Sequence, residues 1–239
     1  MLKSKFMNKI IAIITVCLLF ISFNANAQGP KYIHMPEHDA KAYYFGLSFA
    51  GNYSHFQVKP SQSFYKDNQY KQILGKWGPG FNVGIMGHLK LNSFIDLRFI
   101  PAIVFSEKSI FLQKYNEEQI EVKNIESIYM NLPLQLKFKS ERINNFRFYG
   151  LIGGKFDYDL ASNAKSRRAD EWLRIKPLDI GVDVGIGLEF YFPNFIMAPE
   201  IKIGQGMMNR VMHDSDIPLS NEISELRERM ITFSIHLQG

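Results

Sequence analysis

The chain has 239 residues, 46% of them hydrophobic, with 28 basic and 23 acidic side chains and a formal net charge of +5. Three of the lysines, Lys3, Lys5 and Lys9, open the sequence, so the remainder carries 25 − 23, or +2, which gives no ground for a nucleic-acid partner. The single cysteine, Cys17, also lies in the opening stretch, which excludes a disulfide framework or a thiolate metal site beyond it.

That opening stretch reads as an export signal. The basic start is followed by an apolar run from Ile10 to Phe23 and then by Ala25-Asn26-Ala27, a small-x-small cleavage site. The run is about fourteen residues, short of the roughly twenty that a membrane-spanning helix needs. Residues 1–27 are therefore expected to be a signal peptide, with Gln28 as the first mature residue. Cys17 has no lipobox before it, so lipoprotein processing is not expected. Residues 28–41, with Gly29-Pro30-Lys31 and Met35-Pro36-Glu37, neither alternate nor form an apolar run. They read as a periplasmic extension, flexible or docked on a partner.

From residue 42 to 239 the chain alternates apolar and polar residues in segments separated by turn signals, the period of a strand with two unlike faces. In chain order the segments are 42–57, 80–91, 93–106, 128–138, 146–160, 179–192, 195–206 and the C-terminal stretch with Ile231, Phe233, Ile235 and Leu237. Residues 128–138 alternate most cleanly: Ile128, Met130, Leu132, Leu134, Leu136 and Phe138 oppose Tyr129, Asn131, Pro133, Gln135 and Lys137. Residues 179–192 repeat the pattern, with Ile180, Val182, Val184 and Ile186 opposing Asp179, Gly181, Asp183 and Gly185. The connections alternate strictly between long and short: 58–79, Asn92, 107–125, 140–145, 161–177, Pro193-Asn194 and 207–228. Eight strands joined in that way place every long loop at one end and both termini at the other. Outer-membrane barrels are built so, with short periplasmic turns and longer external loops. The predicted fold is all-β, an eight-stranded antiparallel up-and-down transmembrane β-barrel. Aromatic girdles are expected from Phe94, Phe138, Phe146, Phe190, Phe192 and Phe195 near the short turns, and from Phe56, Phe81, Phe105 and Tyr158 near the long loops.

A barrel of eight strands is just wide enough for side chains to fill it. The inward faces supply Asp96, Arg98, Lys137, Arg147, Lys155, Asp157, Asp179, Asp183 and Glu189, a mixed-sign set expected to pair internally because an unpaired buried charge is costly. Solute conduction is therefore not expected. Candidates for chemistry are His88 and His236 on inward faces, and His55 and His213-Asp214-Ser215-Asp216 near the long loops. Adjacent residues on one loop do not readily converge into a triad, so no catalysis is expected. With no zinc spacing, phosphate loop or dinucleotide fingerprint, no metal or other cofactor is expected either. The cluster Lys165-Ser166-Arg167-Arg168 and the pair Arg227 and Arg229 read as solvated faces able to meet lipopolysaccharide or an acidic partner.

Several strings resemble the PorT (SprT) family of the Bacteroidetes. The most specific is the turn Lys139-Ser140-Glu141-Arg142-Ile143-Asn144-Asn145-Phe146-Arg147. Others are Gly153-Gly154-Lys155 with Asp159-Leu160-Ala161-Ser162, Leu97-Arg98-Phe99-Ile100-Pro101, and Ala198-Pro199-Glu200-Ile201-Lys202. The resemblance covers nearly the whole of the chain after the signal. It implies an outer-membrane component of the type IX secretion system, needed for export of cargo bearing a C-terminal sorting domain, and for gliding where that occurs. It implies action by protein–protein contact with other subunits of that system, and it carries no catalytic residue; outer-membrane lipid and lipopolysaccharide are expected as further partners. Lys139, Glu141, Arg142, Asn144 and Asn145 are the candidate docking turn. The alternatives are a structural or adhesive surface barrel, or an enzyme sited at the rim. One departure concerns the last residues, Leu237-Gln238-Gly239, which lack the terminal aromatic that many outer-membrane barrels carry.

Overall fold

The computed structural model describes residues 32–66, 69–115, 120–160, 173–214 and 217–239. The expected signal peptide and the Lys165–Arg168 cluster lie outside the described residues. One unit of the chain, His34–Gly239, contains every strand. No helix among the described residues is long and apolar enough to cross a membrane.

The strands are β1 (Tyr43–Pro60), β2 (Tyr70–Lys76), β3 (Gly78–Lys90), β4 (Ile95–Phe99), β5 (Ala102–Lys114), β6 (Ile120–Lys139), β7 (Phe146–Asp159), β8 (Arg174–Ile175), β9 (Leu178–Tyr191), β10 (Ile196–Gly206), β11 (Val211–Met212) and β12 (Ile223–Gln238). Two short helices, α1 (Gln62–Lys66) and α2 (Pro218–Glu222), and a 3-10 helix over Pro36–Ala40 complete the elements. β1 pairs antiparallel with both β12 and β3, which closes the sheet. Around the ring β12 is followed by β10, β9, β7, β6, then β4 with β5, then β3 with β2. β2 with β3, and β4 with β5, are each one stave interrupted, so the ring has eight staves, as the alternation predicts. Closure matters physically: an open edge in hydrocarbon would leave backbone groups with no hydrogen-bond partner.

Both interruptions have a chemical cause. β4 pairs with β6 up to Phe99↔Leu134, and β5 resumes at Ala102↔Asn131 in the same register. The gap falls where Ile100 lies opposite Pro133: the Ile100 N–H reaches the Pro133 carbonyl at 3.4 Å but Pro133 has no N–H to return, and Pro101, whose carbonyl accepts from the Ile85 N–H at 3.1 Å, has none to return to β3. The break at Trp77 differs, because the pairing of β5 moves from Gly80↔Ser106 to Lys76↔Ser109, a shift of one residue beside Pro79. That is a bulge.

Side chains sort as the alternation requires. Leu134, Leu136 and Phe138 on β6, and Ile180, Val182, Val184 and Ile186 on β9, face outward and are exposed. Their inward neighbours Gln135, Lys137, Asp179 and Asp183 are buried. An apolar outer wall around a polar interior is the arrangement hydrocarbon selects. The strands exceed their predicted lengths at the long-loop end: β1 runs to Pro60, β5 to Lys114, and β6 begins at Ile120. There the interior turns apolar, with Phe56, Ile73, Ile110, Leu112, Leu173, Ile175, Val211, Leu219, Ile223 and Leu226 in one buried cluster. Phe56 is thus a correction to the girdle reading, since it points inward into this cap. Phe81 and Phe105 do face outward, stacked with ring centroids 4.5 Å apart.

Candidate functional site

The interior is filled from one end to the other, in layers set by the strand register. Nearest the short turns, Asp96 on β4 accepts a hydrogen bond from the Tyr44 hydroxyl at 2.8 Å and an ion pair from Lys139 at 2.6 Å. His88 stacks on Tyr44, 4.3 Å between centroids. Across the lumen, Lys137 pairs with Glu189, which also accepts a hydrogen bond from the Tyr191 hydroxyl at 2.8 Å and faces Arg147 at 3.7 Å.

The next layer centres on Arg98. Its guanidinium donates to both carboxylate oxygens of Glu200, at 2.6 and 3.0 Å, and twice to Gln135 Oε1, at 3.0 and 2.7 Å. Glu200 also accepts from the Tyr149 hydroxyl at 2.9 Å and lies 3.4 Å from His236 Nε2. A bidentate guanidinium–carboxylate pair reinforced by a tyrosine hydroxyl and a glutamine oxygen is the geometry that offsets the desolvation of both ions. Above it, Asp183 accepts from Gln135 at 3.0 Å and pairs with Lys202 at 3.1 Å, while Lys155 pairs with Asp157 at 2.8 Å. The uppermost polar layer joins Arg210 to Glu228 at 3.0 Å and Asp159 at 2.9 Å, and Lys108 to Glu228 at 3.0 Å. The apolar cap closes over this layer. The cavity among Tyr129, Lys155, Asp183 and Lys202 measures about 10 Å3, the space of roughly one water molecule.

All nine residues predicted for the lumen network are there and buried: Asp96, Arg98, Lys137, Arg147, Lys155, Asp157, Asp179, Asp183 and Glu189. Glu200, Gln135, Lys108, Arg210 and Glu228 join them, beyond the set expected from alternation. Lys108, Arg210 and Glu228 fall in segments read as loops. Glu200 alternates with Ala198 and Lys202 on a strand whose outward face carries Pro199, which blurred its pattern. His88 and His236 sit on β3 and β12, the two neighbours of β1, and each is buried in the interior. His55 lies outside against Trp77, 4.0 Å between ring centroids. His213 Nδ1 bonds the Ser220 carbonyl at 2.8 Å, and Asp214 pairs with Arg174. Ser215 and Asp216 lie outside the described residues.

The short-turn end holds the second feature. Residues His34 to Lys41 are docked on the barrel's own mouth rather than free, and the turn between β6 and β7 is what holds them. Asn144 takes φ 56°, the left-handed region that Asn tolerates with a local hydrogen bond. That turn aims Arg142 across the mouth, where its Nε donates to the Asn144 carbonyl at 2.7 Å and its Nη2 to Asn145 Oδ1 at 3.0 Å. The same guanidinium reaches the carbonyls of His34 and Met35 and lies 3.7 Å from the Tyr191 ring centre. Asn145 Oδ1 also accepts from the His34 N–H at 2.9 Å. Asp39 pairs with Arg147 at 2.8 Å and Arg142 at 3.6 Å, and the Lys90 ammonium reaches the Asp39 carbonyl. His38 is buried edge-on against Tyr44, 4.5 Å between centroids, and burial holds its pKa down to about 4.

The five residues of the candidate docking turn therefore divide. Arg142, Asn144 and Asn145 hold the chain's own segment, and Lys139 points into the lumen to Asp96. Glu141 is exposed on the turn. The partner of Arg142 within this chain, Asp39, could not be found from spacing, because it stands more than a hundred residues away in a segment without periodicity.

Residues 26–209 match the family described as outer membrane protein beta-barrel domain. Among solved structures, the chain is similar to the outer membrane protein OprG of Pseudomonas aeruginosa, with 10% identity, a TM-score of 0.44, and 81% of this chain and 94% of that one covered. It is similar to Neisserial surface protein A at 11% identity and a TM-score of 0.42, covering 80% and 95%. Ail, the attachment invasion locus protein of Yersinia pestis, aligns at 14% identity and a TM-score of 0.37, covering 83% and 100%. No curated protein matches the sequence.

Proposed function

Because this chain belongs to the outer membrane protein beta-barrel domain family and sits in the outer membrane, we propose that it is a component of the type IX secretion system that works by contact rather than by conduction or catalysis. The observation that supports this most is the turn Lys139–Arg147, whose residues resemble the PorT family and which forms the clamp of the periplasmic mouth. The filled lumen agrees with it. A barrel whose interior is ion-paired from Asp96 to Arg210 and capped by apolar side chains offers partners its rims and wall, not a pore. Export of sorting-domain cargo is the proposed process, with other subunits of that system as partners and lipopolysaccharide and phospholipid as surroundings.

The test is a clean deletion in the native host, comparing extracellular proteins with the periplasmic pool. Accumulation of sorting-domain cargo inside the cell, reversed by the gene on a plasmid, is the expected result. Unchanged export would overturn the reading and leave the second one, a structural or adhesive surface barrel.

A further inference from the structure

The outer wall is not uniform. On the lipid-facing side, β1, β3 and β4 place Phe45, Gly87 and Phe99 in one cross-strand row, with Phe45↔Gly87 and Gly87↔Phe99 as register partners. A glycine between two rings leaves a notch in the wall. The next outward row holds Leu47 and Ile85 beside Pro101, where the stave of β4 and β5 is interrupted. Together these residues border an apolar groove of about 670 Å3, within the range of ligand sites.

The groove continues toward water. A second hollow of about 450 Å3 shares Phe45 with it and is bordered by Lys41, Ala42, Tyr43 and Tyr44, where the chain leaves the docked segment and enters β1, and by Gly239, whose N–H donates to the Phe45 carbonyl at 3.2 Å. Lys41 is exposed, and no described carboxylate lies within ion-pair distance of its ammonium. The nearest acid in sequence, Asp39, is engaged by Arg147 and Arg142. Phe45 stands four positions after Lys41, at most roughly 13 Å along the chain, so one amphiphile can reach both. A slot with aromatic walls inside the hydrocarbon and a cation at its water-side end matches an acyl chain joined to a phosphate. The short-turn end faces the periplasm, where the leaflet consists of glycerophospholipid, not lipopolysaccharide.

We propose that this groove is a binding site for one glycerophospholipid of the periplasmic leaflet, its phosphate on Lys41 and an acyl chain between Phe45 and Phe99 over Gly87. The site adjoins the docked segment, whose last residue, Lys41, supplies its cation, and it is independent of any role in secretion.

The test uses the intact barrel in phosphatidylcholine vesicles doped with phosphatidylglycerol bearing a photo-reactive acyl chain, with crosslinked peptides mapped by mass spectrometry. Labelling is expected to concentrate on Phe45, Ile85 and Phe99, at least tenfold above the outward row of Val184 and Ile186. Gly87→Leu, which fills the notch, and Lys41→Glu, which lies outside the strands and spares folding, should each remove that excess. Uniform labelling around the wall, or labelling that Lys41→Glu leaves unchanged, would overturn the proposal. So would equal labelling by a photo-reactive diacylglycerol lacking phosphate, or a partner polypeptide crosslinked at Phe45 in native membranes in the lipid's place.

Discussion

Replacing Glu200 by glutamine changes almost no volume but removes the charge on which the central lumen layer depends. Arg98 then keeps its two hydrogen bonds to Gln135 but loses a carboxylate held at 2.6 and 3.0 Å, with both side chains essentially inaccessible to solvent. The Tyr149 hydroxyl would be left donating to a weaker acceptor. Removing one member of a buried, hydrogen-bonded ion pair costs about 3–5 kcal/mol, about two to three and a half orders of magnitude in the folded-to-unfolded ratio. The double variant Arg98→Met with Glu200→Leu removes both ions at once and should cost less than either charge deletion alone, because no unpaired charge remains. The assay is urea-dependent unfolding of the barrel in lipid vesicles, read by the shift between folded and heat-denatured bands in gel electrophoresis. A Glu200→Gln variant within about 1 kcal/mol of the wild type would refute the reasoning, since it would mean the pair is screened as a surface pair is.

Three further outcomes follow from the geometry. Arg142→Met should release residues 34–41 from the mouth while the barrel stays folded, seen as a new site of protease cleavage in that segment; continued protection would show that the clamp is not what holds it. His38 is neutral when docked, with a pKa of about 4 against an ordinary value of 6.5, so the undocked segment binds the proton more readily. Docking should therefore be at full strength above pH 6.5 and weaken by at most about tenfold per unit as the pH falls toward 4, which a spin label at Glu37 would report as rising mobility; mobility independent of pH would contradict this. At Gly187 an added Cβ would collide with the Tyr149 ring and meet the Pro199 carbonyl at 2.9 Å, so Gly187→Ala should displace Tyr149 from Glu200 and lower stability by about 1–3 kcal/mol in the same urea assay.

The membrane-spanning part of the fold was legible because lipid on one side and a polar lumen on the other force strict alternation, as Leu134, Gln135, Leu136 and Lys137 show. Beyond the membrane that constraint lapses. Ile110 and Leu112 face an apolar cap while Phe111 and Gln113 face outward, so the period weakens and the strands were read short. The same lapse hides Lys108, Arg210 and Glu228, which stand in segments without a clear period. The lumen set was recoverable one strand at a time, but its pairing was not. Whether Arg98 meets Glu200 or Asp183 depends on the stagger of strands that alternation does not encode. The docked mouth was least legible: the left-handed Met35 and Asn144 have no periodic signature, and the bond between Arg142 and the His34–Asp39 segment is a contact between distant parts of the sequence.

Current through the intact barrel in a planar lipid bilayer tests the sealed lumen most directly. A lumen filled from Asp96 to Arg210, closed by the apolar cap and covered by residues 34–41, should pass no current above that of the bare bilayer at either polarity. Discrete, reproducible conductance steps from the wild-type barrel would contradict the account, and with it the proposal that the protein acts through its surfaces.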